Sequence, residues 1–72
     1  MTVFIFKTDL KTPEIVNQIR PVMNAIPAVN SWFVDTADVD NVMRIETNGQ
    51  LTEIDMVGLI KTCGFFCEPL LD

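Results

Sequence analysis

The sequence predicts an α+β sandwich of βαββαβ order, with a four-stranded antiparallel sheet and both helices on one face. Three observations lead there. Four short runs are rich in β-branched and aromatic residues, two longer stretches repeat apolar residues at helical spacing, and the two kinds of segment alternate in the order just given. The 72 residues leave room for one domain, spanning 1–72. A chain this short buries only ~60% of its unfolded surface. With 49% hydrophobic and 21% charged residues the composition is globular. So high an apolar share in so small a body predicts that some large side chains stay outside as a patch.

Thr2-Val3-Phe4-Ile5-Phe6-Lys7 reads as the first strand. By the period of two, Val3 and Ile5 share one face and Phe4 and Phe6 the other, and either pair can be the inward one. Thr12 is a good N-cap, Pro13 suits the first helical position, and Glu14 favours the positive helix end. Ile15, Val16, Ile19, Met23 and Ile26 then follow at helical spacing. Pro21 interrupts that pattern, which predicts a kink, or a helix ending near Arg20 with a tighter turn to Ala25.

Ile26-Pro27-Ala28-Val29 is the exit turn, and Asn30–Asp35 is the expected second strand, with Trp32 and Val34 on one face and Phe33 on the other. Thr36–Asn41 has turn chemistry. The third strand, Val42–Thr47, sends Met43 and Ile45 inward and Arg44 and Glu46 outward, and Asn48-Gly49 ends it. Thr52 opens the second helix, with Asp55 as its capping-box partner. Met56, Val57, Ile60 and Cys63 form its core stripe, widened by Ile54 and Leu59. Gly58 implies a close helix contact, Gly64 a C-cap, and Phe65–Glu68 a last strand that Pro69 confines to the sheet edge.

Two right-handed βαβ crossovers joined by a hairpin give the ferredoxin-like sandwich. Within that class the chain resembles the heavy-metal-associated domain, the fold of small copper chaperones and of the amino-terminal domains of metal-transporting ATPases. The resemblance spans nearly all 72 residues. The family's Val-Pro-Gly-Val-like exit from the first helix is matched by Ile26-Pro27-Ala28-Val29, and its Gly-Phe before the last strand by Gly64-Phe65. Counting back from Ile26, its Gly-Met-Thr-Cys-x-x-Cys metal loop falls on Asp9–Ile15. Leu10 stands at the buried methionine, and Thr12 and Ile15 stand at the two cysteines. Neither supplies a thiolate, so the resemblance implies the fold and not the soft-metal site.

Composition narrows the function further. Ten acidic against five basic residues, a net charge of −5, disfavour nucleic acid and anionic membranes as partners. Met1 leads straight into a strand-like run, no apolar stretch approaches a bilayer span, and two cysteines make no disulfide framework. A soluble, reduced, cytoplasmic chain is the expectation. With no histidine, neither a Ser/His/Asp nor a Cys/His centre can be built, and no enzyme is expected.

Three small constellations have ordinary readings. Asp35, Asp38 and Asp40 with Asn41 lack the order of a calcium loop and read as a solvated turn. Lys7 and Lys11 beside a helix N-terminus offer an anion site, but Pro13 removes a donor and capping is the better reading. Cys63 and Cys67 are the only thiols and the candidate ligands for copper(I) or zinc, and otherwise pack as small apolar side chains.

The remaining signal is the sheet face away from the helices. With Phe4 and Phe6 inward, it carries Val3, Ile5, Phe33, Val42 and Arg44, a surface for a protein partner or a homodimer. The reverse phase of the first strand exchanges its two pairs.

Overall fold

Phe4 and Phe6 turn towards the helices, and this sets the phase of the first strand. The computed structural model describes residues 2–70. Its elements are β1 (Thr2–Thr8), α1 (Pro13–Asn24), β2 (Val29–Val34), β3 (Met43–Thr47), α2 (Glu53–Thr62) and β4 (Cys67–Pro69). Every paired strand is antiparallel, in the sheet order β2-β3-β1-β4. This interleaving follows from the two crossovers. The α1 connection from β1 to β2 steps over the place of β3, and the α2 connection from β3 to β4 steps over β1.

One face of the sheet and both helices close a single core. Phe6, Val34, Met43, Ile45 and Cys67 from the strands meet Val16, Ile19 and Met23 from α1 and Met56 and Ile60 from α2. Phe4 packs against this cluster with its ring tilted 44° to that of Phe6, at 6.0 Å between centroids. These are the positions that the two periodicities select. The fold is the ferredoxin-like α+β sandwich that the pattern predicts, with four antiparallel strands and two helices on one face.

Four local expectations change. First, α1 runs unbroken through Pro21 to Asn24 and does not end near Arg20. Asn17 and Pro21 both lie on its exposed side, so the carbonyl that loses its amide donor is left to water and no buried acceptor is orphaned. Second, β4 begins at Cys67 instead of Phe65. The preceding amides are already committed. Gly64, at φ +93°, turns the chain out of α2, its N–H donates to the Lys61 carbonyl (2.9 Å), and the Phe65 N–H donates back to Ile60 (3.3 Å). The Phe66 N–H is taken by the Asp9 carboxylate at 2.9 Å. Pro69 sits in β4 on the sheet edge, where its missing donor costs no ladder bond.

Third, β2 is displaced by one residue and β3 starts one residue later than expected. β2 starts at Val29, with a bulge between Val29 and Ser31, and Asp35 falls in the turn. Val42 precedes β3, although its carbonyl still accepts the Asp35 N–H at 2.8 Å. Fourth, the apolar stripe of α2 is narrower than expected. Met56 and Ile60 are buried and Val57 and Cys63 lean on the core, but Ile54 is 82% exposed and Leu59 is exposed as well. Ile54 lies two residues, about 200° of helix, from Met56 and faces the opposite way. Gly58 makes no close helix contact, because a Cβ built there meets nothing within 4 Å.

Gly58→Ala fits the open side of α2 without a clash and reduces the freedom of the unfolded chain. Urea unfolding is expected to show ~0.5–1 kcal/mol of added stability with an unchanged m-value. A destabilised variant would mean that this side of α2 is not free.

Candidate functional site

Two regions carry the residues singled out by sequence, and they differ in kind. The β1–α1 junction, the position of a metal loop in the resembling family, is closed by the chain's own groups. Thr8, at the end of β1, donates its hydroxyl proton to the Asn41 carbonyl (2.6 Å) and accepts the Leu10 N–H (3.2 Å). Leu10 is fully buried in the core. Thr12 caps α1 by accepting the Ile15 N–H at 3.2 Å, and Ile15 packs its side chain on the core. Asp9 reaches the loop before β4 through Phe66, a tie with no sequence signal because the two lie 57 residues apart.

This donor set does not fit a soft metal. Thr12 and Ile15 offer no thiolate. Cys67 is fully buried, and burial pushes its thiol up from 9.0 to about 11 against the lesser pull of Lys61. Cys63 is half-buried beside the core. Among the described residues no three carboxylates or thiols converge. The acidic turn is equally self-contained. Asp35 accepts the Ala37 N–H and Asp38 the Asp40 N–H, and Asp40 pairs with Lys7 at 3.5 Å. Asn41, at φ 45°, donates its side-chain amide to Thr36 and Asp38. Lys7 is thus engaged by Asp40 and does not stand ready for an anion at α1.

The second region is the open sheet face. Alternation places Val3, Ile5 and Lys7 of β1, Ser31 and Phe33 of β2, Arg44 and Glu46 of β3, and Glu68 of β4 on it. The register arranges them in rows. Phe33, Arg44 and Ile5 lie side by side across β2, β3 and β1, and Ser31, Glu46 and Val3 form the next row. Phe33 is 66% exposed and Val3 43%, while Ile5 and Val42 are half-buried. Arg44 is bonded to Glu46 along its own strand. The five residues expected on this face are therefore brought together, Val42 at its border.

Beside this face, sequence reading missed a groove of about 260 Å³ between α1 and β2, lined by Pro13, Asn17, Arg20, Trp32, Phe33 and Thr36 among others. The Arg20 guanidinium lies 5.2 Å from the Trp32 ring centroid, and the indole N–H donates to Asn24 Oδ1 at 3.1 Å. No lining residue carries a carboxylate, thiol or imidazole.

No family model and no curated protein matches the chain. Among solved structures, one described as "Crosstalk between Cu(I) and Zn(II) homeostasis" is similar at a TM-score of 0.81, over 97% of this chain and 100% of that one. The sequence identity is 14%, so the likeness is one of fold. No helix among the described residues is long and apolar enough to cross a membrane.

The buried thiol gives a pH prediction. Cys67 is protonated in the folded state up to about 11, whereas the unfolded chain gives up that proton near 9.0. Its contribution to stability is therefore complete below 9.0 and is lost as pH rises towards 11. Urea midpoints of the wild type are expected to fall over that window more steeply than those of Cys67→Ala. Parallel profiles would show that Cys67 titrates alike in both states.

Proposed function

We propose that this chain is a non-catalytic interaction domain that docks protein through the open face of its sheet. The observation that carries the reading is Phe33, a large aromatic side chain standing mostly in solvent beside Val3, Ile5 and Arg44. Aromatic and arginine side chains are those most enriched where protein interfaces concentrate their energy. The absence of histidine from the chain, and of a carboxylate, thiol or imidazole from the lining of the α1/β2 groove, supports a role without catalysis. Two free thiols, one deep in the core, suit a reducing cytoplasm.

A competing reading is metal handling by Cys63 and Cys67, with copper(I) or zinc as cargo. It draws on the metals in the solved structure's description and on the spacing of the two thiols. The burial of Cys67 and its raised pKa weigh against it, since a ligand must be a thiolate.

Two measurements decide between these. Phe33→Asp is expected to abolish capture of protein from an extract of the native cell while circular dichroism and the urea midpoint stay near wild type. Equal capture by both proteins would sink the interaction reading. Copper(I) and zinc, each titrated against a competing chelator, are expected to bind the wild type and Cys63→Ser/Cys67→Ser equally weakly. Tight binding lost in the double variant would establish the metal reading instead.

A further inference from the structure

We propose that the occupant of the open face is a second copy of this chain, stacked about a two-fold axis that runs across the strands between the two rows. The proposal rests on the interaction reading above and deepens it by naming the partner. Its basis is the register. One row reads Phe33, Arg44, Ile5 across β2, β3 and β1, and the neighbouring row reads Ser31, Glu46, Val3 across the same strands. Their spacing along the strand is about 7 Å, two residues of rise.

A two-fold axis lying between two facing sheets, perpendicular to β3, carries each row onto the other. Arg44 then meets the partner's Glu46, and Glu46 meets the partner's Arg44. Ile5 meets the partner's Val3, an aliphatic contact. Phe33 meets the partner's Ser31, the small residue that leaves room for a ring. Charge, apolarity and size are complementary in all three columns, which is the condition an isologous interface imposes on one patch. Near-aligned stacking of two sheets is an ordinary packing geometry.

The alternative two-fold, running along β3, lays Arg44 on the partner's Arg44 and Glu46 on the partner's Glu46. Facing like charges cost several kcal/mol at an interface, so the charges choose the crosswise axis.

The overall charge does not oppose this pairing. The chain carries −5, but the strand residues of the open face are balanced, with Lys7 and Arg44 against Glu46 and Glu68. The acidic excess lies elsewhere, at the helix starts and in the β2–β3 turn. Two copies therefore meet on a patch whose strand charges cancel, with Asp40 at its edge beside Lys7.

The test is sedimentation velocity of the whole chain at concentrations up to millimolar, with circular dichroism to confirm folding of each variant. The wild type is expected to show a monomer–dimer equilibrium. Arg44→Glu and Glu46→Arg, each alone, place like charges across the interface and are expected to weaken association by ~100-fold or more. An equimolar mixture of those two variants makes both cross-pairs attractive again and is expected to restore the dimer. The double exchange Arg44→Glu/Glu46→Arg is expected to restore it within one chain.

A monomeric wild type at the highest concentration overturns the proposal. So does a dimer that survives the single reversals, or a mixture that stays monomeric. A monomeric wild type whose capture of protein is still lost on Phe33→Asp overturns the second copy and leaves the interaction reading standing. A wild type that neither self-associates nor responds to Phe33→Asp overturns both.

Discussion

Thr8 and its neighbour Asp9 hold together three segments that are distant in sequence, and the rest of the structure depends on that junction. The Thr8 backbone N–H donates to the Asp40 carbonyl, its hydroxyl donates to Asn41, and the same oxygen accepts the Leu10 amide. All of this happens at a residue only 4% exposed, where an unmade hydrogen bond would cost ~1–3 kcal/mol. Leu10 then drops into the core and Asp9 pins the loop before β4. The β2–β3 turn, the start of α1 and the exit of α2 are thus fixed to one strand end. In the resembling family this junction is a ligand loop, and here its polar valences are spent on the fold itself.

That closure bears on where function can lie. A loop that binds a metal must keep donors free for it, and this one presents a threonine already acting as a cap and an isoleucine packed on the core. The thiols do not compensate. Cys67 pairs across from Thr8 at the β1–β4 edge of the core, where burial favours the neutral thiol over the thiolate. What remains accessible is the sheet's other face, where Phe33 and Val3 stand exposed.

The element order was legible because two periodicities, 2 and 3.6, leave separate marks in a sequence, and because Thr12-Pro13 and Thr52 with Asp55 announce helix starts. The misplacements share a cause. Whether Pro21 breaks α1 depends on which side of the helix meets water. Where β4 begins depends on which amides a Gly64 turn and a remote aspartate have already taken. Ile54 read as apolar and therefore inward, though its angular position is opposite Met56. The candidate face shows the same division. Alternation selected Val3, Ile5, Phe33 and Arg44 for it, but their alignment into rows is a property of register. The bulge between Val29 and Ser31 has no signature in the residues themselves. The Arg20–Trp32 stack beside it joins a helix to an edge strand and was equally invisible.

The acidity of the chain takes on a different meaning once its carboxylates are placed. A net charge of −5 reads at first as a field waiting for a cationic partner. Most of the carboxylates have local work, however. Glu14, Glu53 and Asp55 sit in first helical turns, where the helix dipole favours a negative charge, and Asp55 also closes the capping box. Asp35 and Asp38 hold the β2–β3 turn, Asp40 pairs with Lys7, and Asp9 secures Phe66. The acidic excess is thus a consequence of how this small fold caps and turns its chain. Among the described carboxylates only Glu46 and Glu68 point from the strands onto the open face, each with a cation nearby, Arg44 along β3 and Lys7 across from β1. In the proposed pairing, recognition at that face turns on the order of one arginine and one glutamate along β3, and on the unlike side chains flanking each of them, far more than on the charge of the molecule as a whole.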